Sequence, residues 1–233
     1  LERTVTPKTK MLILCNPHNP VGRAFTSEEI DGVARFCGER DIVLCSDEIH
    51  CDLILDDLAH QTAAKREGKN GLRTITLMAP SKTYNIAGLG FSFAIIPDSR
   101  LRSQFRKAVG GFVPPLNVLS YCAAEAAYRH GEPWRQEILN ELRRNRDLID
   151  SKIATIPGMR IAHLEATYLA WIDCAGLDLQ GSTNPHKFFS DRAGIAFSKG
   201  SDYGDKSFIR MNFGCPTATV SEAFERIERA INQ

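Results

Sequence analysis

The chain has 233 residues, 43% hydrophobic and 24% charged, with 29 basic against 28 acidic side chains and a formal net charge of +1. That is the profile of a globular protein with one large domain or two small ones, and its charge balance gives no reason to expect nucleic acid or an anionic membrane as a partner. No apolar run approaches the roughly 18 residues of a spanning helix, and Leu1-Glu2-Arg3-Thr4 has no apolar core behind it of the kind a signal peptide needs.

The chain opens without Met and soon enters a strand-like run, so it reads as an interior cut of a longer protein. Met11-Leu12-Ile13-Leu14-Cys15 is a continuous apolar run stopped by Asn16-Pro17, the pattern of a strand covered on both faces. Thr26-x-x-Glu29 is a capping-box pattern, and Ile30, Val33, Ala34 and Cys37 recur behind it at helical spacing. Ile42 to Cys45 reads as a second buried strand, ending in Ser46-Asp47-Glu48, so the opening is a βαβ unit. Leu72 to Met78 and Phe91 to Ile96 read as strands, Arg100 to Val109 and Asn117 to Arg129 as helices. A further helix starts near Pro133, a residue tolerated in a first turn. Its stripe is Ile138, Leu142, Ile149, Ile153 and Ile156, and it has the look of a bridge between two lobes. The cluster Arg143-Arg144-Asn145-Arg146 on it reads as a solvated face rather than a binding patch. An extended pair (159–163, 168–173), a helix near 185–193, a strand near 208–213 and a helix near 220–231 complete the chain.

Seven cysteines are scattered without a Cys-x-x-Cys pair. That is the usage of reduced thiols in a cytoplasmic protein, not of a disulfide frame or a metal site. Most are expected to be buried as small hydrophobes.

Three segments carry chemistry, and each lies just after a strand, where ligands sit in open α/β sheets. Asn16-Pro17-His18-Asn19-Pro20-Val21-Gly22 holds two Asn-Pro steps, which make a rigid turn or part of a site. In Ser46-Asp47-Glu48-Ile49-His50, a carboxylate at a strand end is a helix cap, a metal ligand or a partner for a cation; His50 alone is more often structural. In Ala79-Pro80-Ser81-Lys82-Thr83-Tyr84-Asn85-Ile86-Ala87-Gly88-Leu89, Lys82 sits between apolar stretches. It is either a surface lysine or an amine that desolvation makes nucleophilic. Near the end, alternation places Phe208, Arg210 and Asn212 on one face of a strand. There Arg210 offers two parallel donors to a carboxylate, or else a surface ion pair.

In combination, Asn19, Asp47, Lys82 and Arg210 in that order and at those intervals resemble the fold-type I pyridoxal-phosphate enzymes of the aminotransferase class I and II superfamily, across essentially the whole chain. The resemblance implies an α/β fold: part of the large cofactor domain, a mostly parallel sheet flanked by helices, over 1–132, and a smaller α+β C-terminal domain over 133–233. It implies pyridoxal 5′-phosphate as cofactor, with Lys82 as its Schiff-base lysine and Asp47 paired with the pyridine nitrogen. Asn19 would donate to the ring 3′-oxygen and His50 would stand where many aminotransferases carry a Tyr. Ser81 would lie within reach of the phosphate, and Arg210 would clamp the substrate α-carboxylate.

Two departures narrow the branch. Gly90 comes after Ala87-Gly88-Leu89 where aminotransferases usually have a phosphate-gripping Arg, and His50 replaces the Tyr. Ser-Asp-Glu-Ile-His, Ala-Pro-Ser-Lys-Thr-Tyr-Asn-Ile-Ala-Gly-Leu and Pro133-Trp134 are similar to the MalY/PatB-type cystathionine β-lyases. This implies α,β-elimination from cystathionine or a related sulfur amino acid to thiol, pyruvate and ammonia, in a homodimer. The alternatives are a class I/II aminotransferase and a regulatory or binding protein that keeps the fold.

Overall fold

Along Val43-Leu44-Cys45, neighbouring side chains point to opposite faces of a sheet, and both faces are covered. Leu44 packs with Ala34, Cys37, Ile42, Ala63 and Leu72 on one side. Val43 and Cys45 pack with Ile75, Ile96 and Leu101 on the other. These residues belong to the first of two units in the computed structural model, which describes residues 1–232. That unit takes Leu1–Pro17, Ala24–Asp52 and Leu58–Arg135; the second takes His18–Arg23, Leu53–Asp57 and the chain from Gln136.

The first unit holds a four-stranded sheet in the order β1 (Met11–Cys15), β2 (Val43–Asp47), β3 (Thr74–Met78), β4 (Phe93–Ile95). The first three are parallel and β4 is antiparallel to β3. Helix α1 (Ser27–Glu39) crosses from β1 to β2, opened by the expected capping box: Glu29 N–H donates to Thr26 Oγ1, and Glu29 Oε2 accepts from Thr26 N–H. Helices α2 (Ser99–Val109) and α3 (Val118–His130) come next, capped by Asp98 and Asn117. Strand β1 departs from expectation. It is an edge strand of this sheet, and Ile13 is 72% exposed, so only one face of its apolar run is covered. An unbroken apolar run suits burial on two faces, but it does not supply the neighbour that covers the second.

The second unit holds an antiparallel sheet, order β5 (Arg160–Ile161), β6 (Leu169–Asp173), β8 (Phe208–Asn212), β7 (Ser198–Lys199). Helices α5 (Pro185–Ala193) and α6 (Thr217–Ile231) belong to it, as does most of α4 (Glu132–Ala154), inside which the division between units falls. Val220, Phe224 and Ile227, at helical spacing on α6, are fully buried with Ile149 of α4 and Ile172 and Ile209 of the sheet. Fully burying each such side chain is worth about 1.5–3 kcal/mol.

Of the 143–146 cluster only Arg144 keeps a solvated face, pairing with Glu141 one turn away; the other three side chains turn inward. Arg143 Nε donates to Leu55 O at 2.7 Å, and Arg146 Nη1 pairs with Asp56 at 2.6 Å. Asn145 is fully buried, and its Nδ2 donates to the carbonyls of Phe213 (3.0 Å) and Cys215 (2.8 Å) while its Oδ1 accepts from Thr217 Oγ1. The side chains of this helix meet folded-back loop carbonyls that its sequence neighbours do not announce. The thiols also depart from expectation. All seven are free, and only Cys37, Cys45 and Cys174 are buried; α3 leaves Cys122 exposed.

Asn145→Ala should lower stability by about 2 kcal/mol, because it takes the donor from the buried Phe213 carbonyl and the part-buried Cys215 carbonyl. A denaturant titration should show the unfolding midpoint of the second unit shifting down with the slope unchanged.

Candidate active site

Parallel pairing sets Cys15 opposite Asp47 and Asp47 opposite Leu77. The chain therefore leaves β1, β2 and β3 at one edge of the first sheet, and three of the expected segments begin there. Asn16, first in its turn, is a structural pin: buried, it donates from Nδ2 to Gln61 O and accepts at Oδ1 from Phe25 N–H. Asp47 ends β2 half-buried, accepts only a 3.3 Å bond from Ile49 N–H, and has no ion-pair partner among the described residues. His50 is buried just beyond it.

Neighbouring Glu48 points its carboxylate into a different setting. It is 1% exposed and accepts from Ser46 Oγ, Thr62 Oγ1 and Ala63 N–H, with His60 Nε2 2.7 Å away. Burial pushes this carboxyl up, but the His60 contact and the other hydrogen bonds outweigh it and hold the group below the ordinary range. Glu48 thereby ties the strand end to the 60–63 segment. Sequence reasoning singles out Asp47 and His50 in this motif and misses Glu48, whose only signal is that it is a second carboxylate beside the first.

Lys82 stands beyond β3 on a loop held at both flanks. Tyr84 N–H donates to Pro80 O, Ile86 N–H to Ser81 O, and Ser120 Oγ to Leu89 O. The Tyr84 ring lies 6.0 Å from that of Tyr128 and 6.1 Å from that of Trp134. A Cβ on Gly131 would meet the Tyr84 ring at 2.6 Å. The Lys82 ammonium itself, half-buried, makes no hydrogen bond or ion pair among the described residues, and neither does the Ser81 hydroxyl. Thr83 Oγ1 beside it is buried without a partner. Gly90 closes the turn over Ala87–Leu89 at φ +65°. A side chain at this position would be strained in that conformation.

Asn19 and Arg210 belong to the second unit and meet each other. Arg210 Nη1 donates to Asn19 Oδ1 at 2.8 Å and Nη2 to Ser198 Oγ at 3.0 Å, while Nε is buried without a partner. Gly22 (φ +76°) closes the Asn19 turn against Leu164, whose Cδ2 a Cβ would approach to 2.7 Å. Burial pushes the Tyr168 hydroxyl up, and the Arg210 charge acts against that. Ser198 and Tyr203, which touches Arg210 from the other side, are not legible in the sequence. Strand β7 has only two residues, and Tyr203 sits in a short 3-10 turn, neither of which leaves a periodic trace.

The fold and site together define an α/β protein with an amine and a carboxylate at the ends of adjacent parallel strands. The family description "Aminotransferase class I and II" matches residues 1–227, and the chain belongs to that family. It is 33% identical over 97% of its length to cystathionine beta-lyase PatB of Bacillus subtilis, covering 59% of that protein. The crystal structure of OvoB superposes over the whole chain with a TM-score of 0.94 at 42% identity, and the chain covers 60% of it. Cystalysin of Treponema denticola, whose crystal structure contains pyridoxal 5′-phosphate, gives a TM-score of 0.88 at 32% identity over 96% of the chain and 57% of cystalysin. The chain thus spans about three-fifths of the length of the relatives it matches.

Because the folded-state pKa of Glu48 is depressed, its contribution to stability is present above the ordinary carboxylate value of 4.5 and is lost as pH falls below it. Melting temperatures measured from pH 6 down to about pH 3 should fall more steeply in the wild type than in Glu48→Gln, which has no carboxyl to protonate.

Proposed function

We propose that this chain carries the cofactor lysine and substrate clamp of a pyridoxal-phosphate C–S β-lyase, which cleaves cystathionine or a related sulfur amino acid to thiol, pyruvate and ammonia. The observation that carries the reading is that Asp47 ends β2 and Lys82 stands on the loop that follows the neighbouring strand β3, both without an ionic partner among the described residues, in a chain one-third identical to a cystathionine β-lyase. Half-buried and unmet by an opposite charge, a carboxylate and a primary amine in these positions remain available to a ligand. The other donors fit the same cofactor and substrate: the orphaned Thr83 hydroxyl, the free Ser81 hydroxyl and the Arg210 guanidinium.

When bound, pyridoxal 5′-phosphate supplies an aldehyde for the Lys82 amine and a ring that withdraws electrons from the substrate Cα. The Asp47 carboxylate keeps the ring nitrogen protonated, which the withdrawal requires. Asn19 would offer its amide N–H to the ring oxygen, and His50 would stand where many aminotransferases carry a Tyr. The Lys82 amine, once released, removes the Cα proton as general base. Arg210 would grip the substrate α-carboxylate through its two parallel donors. Ser81 and Thr83 offer hydroxyls to the phosphate. The full protein is a homodimer in this reading, which sedimentation or light scattering tests.

Transamination starts from the same proton removal, so a class I/II aminotransferase is the competing reading. An assay with cystathionine decides between them. The lyase releases pyruvate and free thiol without added 2-oxo acid, whereas strict dependence on a 2-oxo acid with no thiol overturns the proposal. Lys82→Ala should lower kcat by at least about a thousandfold, from loss of the general base and covalent anchor. Arg210→Lys should raise KM about 10- to 100-fold, since the bidentate fork is lost while the charge stays.

A further inference from the structure

Arg210 is the centre of a row that runs across three strands. Ser198 of β7 and Trp171 of β6 both stand opposite it, on the sheet face away from the core residues Ile209 and Met211. The guanidinium carbon lies 4.6 Å from the centroid of the Tyr203 ring. That ring stands edge-on to Trp171 (5.6 Å, 76°), and Trp171 stacks flat on Phe208 (4.9 Å, 13°). The three rings form a brace with the guanidinium at its end.

Every group that holds Arg210 is neutral. Asn19 Oδ1 and Ser198 Oγ take one N–H from each terminal nitrogen, and no carboxylate among the described residues pairs with it. Of the five guanidinium donors, the buried Nε–H and two others remain for a ligand. A ring below a cation attracts it through the quadrupole without cancelling its charge. The ring thus fixes the plane of the fork and leaves the charge for an incoming anion. Tyr203 is 38% exposed, too open for core packing to explain its place.

We infer that Tyr203 is a positioning residue for carboxylate recognition: its ring, braced by Trp171 and Phe208, orients the Arg210 fork toward the α-carboxylate of the substrate. This rests on the reading of Arg210 as the substrate clamp. The test uses the cofactor-loaded protein and two probes that differ only in the carboxylate, L-methionine and 3-(methylthio)propylamine. Neither carries a leaving group on Cβ. Dissociation constants come from calorimetry and from the change in cofactor absorbance.

Tyr203→Leu should weaken L-methionine about tenfold and change the amine by less than about twofold, with an unaltered melting temperature. Tyr203→Phe, which keeps the ring, should restore L-methionine to within about threefold of the wild type. Equal weakening of both probes, or no change in either, overturns the inference and leaves the clamp reading standing. If the wild type itself does not favour L-methionine over the amine, the Arg210 clamp is wrong and the inference falls with it.

Discussion

Parallel pairing of β1, β2 and β3 is the constraint on which the candidate site depends. In-register parallel strands all end at the same edge, so the loops that leave them all emerge there. Asn16, Asp47 and the Lys82 loop lie far apart in sequence and share that edge only because Cys15, Asp47 and Leu77 are aligned across the sheet. A slip of one residue in β2 would send Asp47 to the opposite face and exchange its place with that of Glu48.

Asp47 and Glu48 show how burial and partners divide two adjacent carboxylates. Glu48 is enclosed and saturated with donors, so it binds the strand end to the 60–63 segment and has no capacity left for a ligand. Asp47 is half-buried and has a single long hydrogen bond. Arg210 repeats the pattern in the second unit. Its supports are an amide oxygen, a hydroxyl and a ring, none of which neutralises it. The groups read as reactive keep unspent charge, and the neighbours that hold them in place are either neutral or already paired.

Much of the architecture is legible in the chain because its signals are local. The capping box at Thr26 and Glu29, the helices expected near 185–193 and 220–231, and the alternation of Phe208, Arg210 and Asn212 each rest on signals within a few residues, and each appears as an element with nearly those bounds. Of the extended pair, only Arg160–Ile161 and Leu169–Asp173 form strands. The misreadings all concern distant neighbours. Ile13 has an uncovered face, Arg143, Asn145 and Arg146 are taken up by carbonyls and a carboxylate from other segments, and Cys122 faces outward.

The sequence by itself determined the order of the helices and of every strand but β7, the family resemblance, and the residue types able to meet a cofactor: an amine, a carboxylate, an amide and a guanidinium. Those come from side-chain chemistry and periodicities of two and 3.6 residues. Only the tertiary structure decided which of two adjacent carboxylates stays unpaired, that the first Asn of the turn is a pin while the second meets Arg210, and that Tyr203 lies against the guanidinium. Such contacts join residues far apart in the chain or hidden in short turns. Their existence depends on strand register and loop path, which no local pattern encodes.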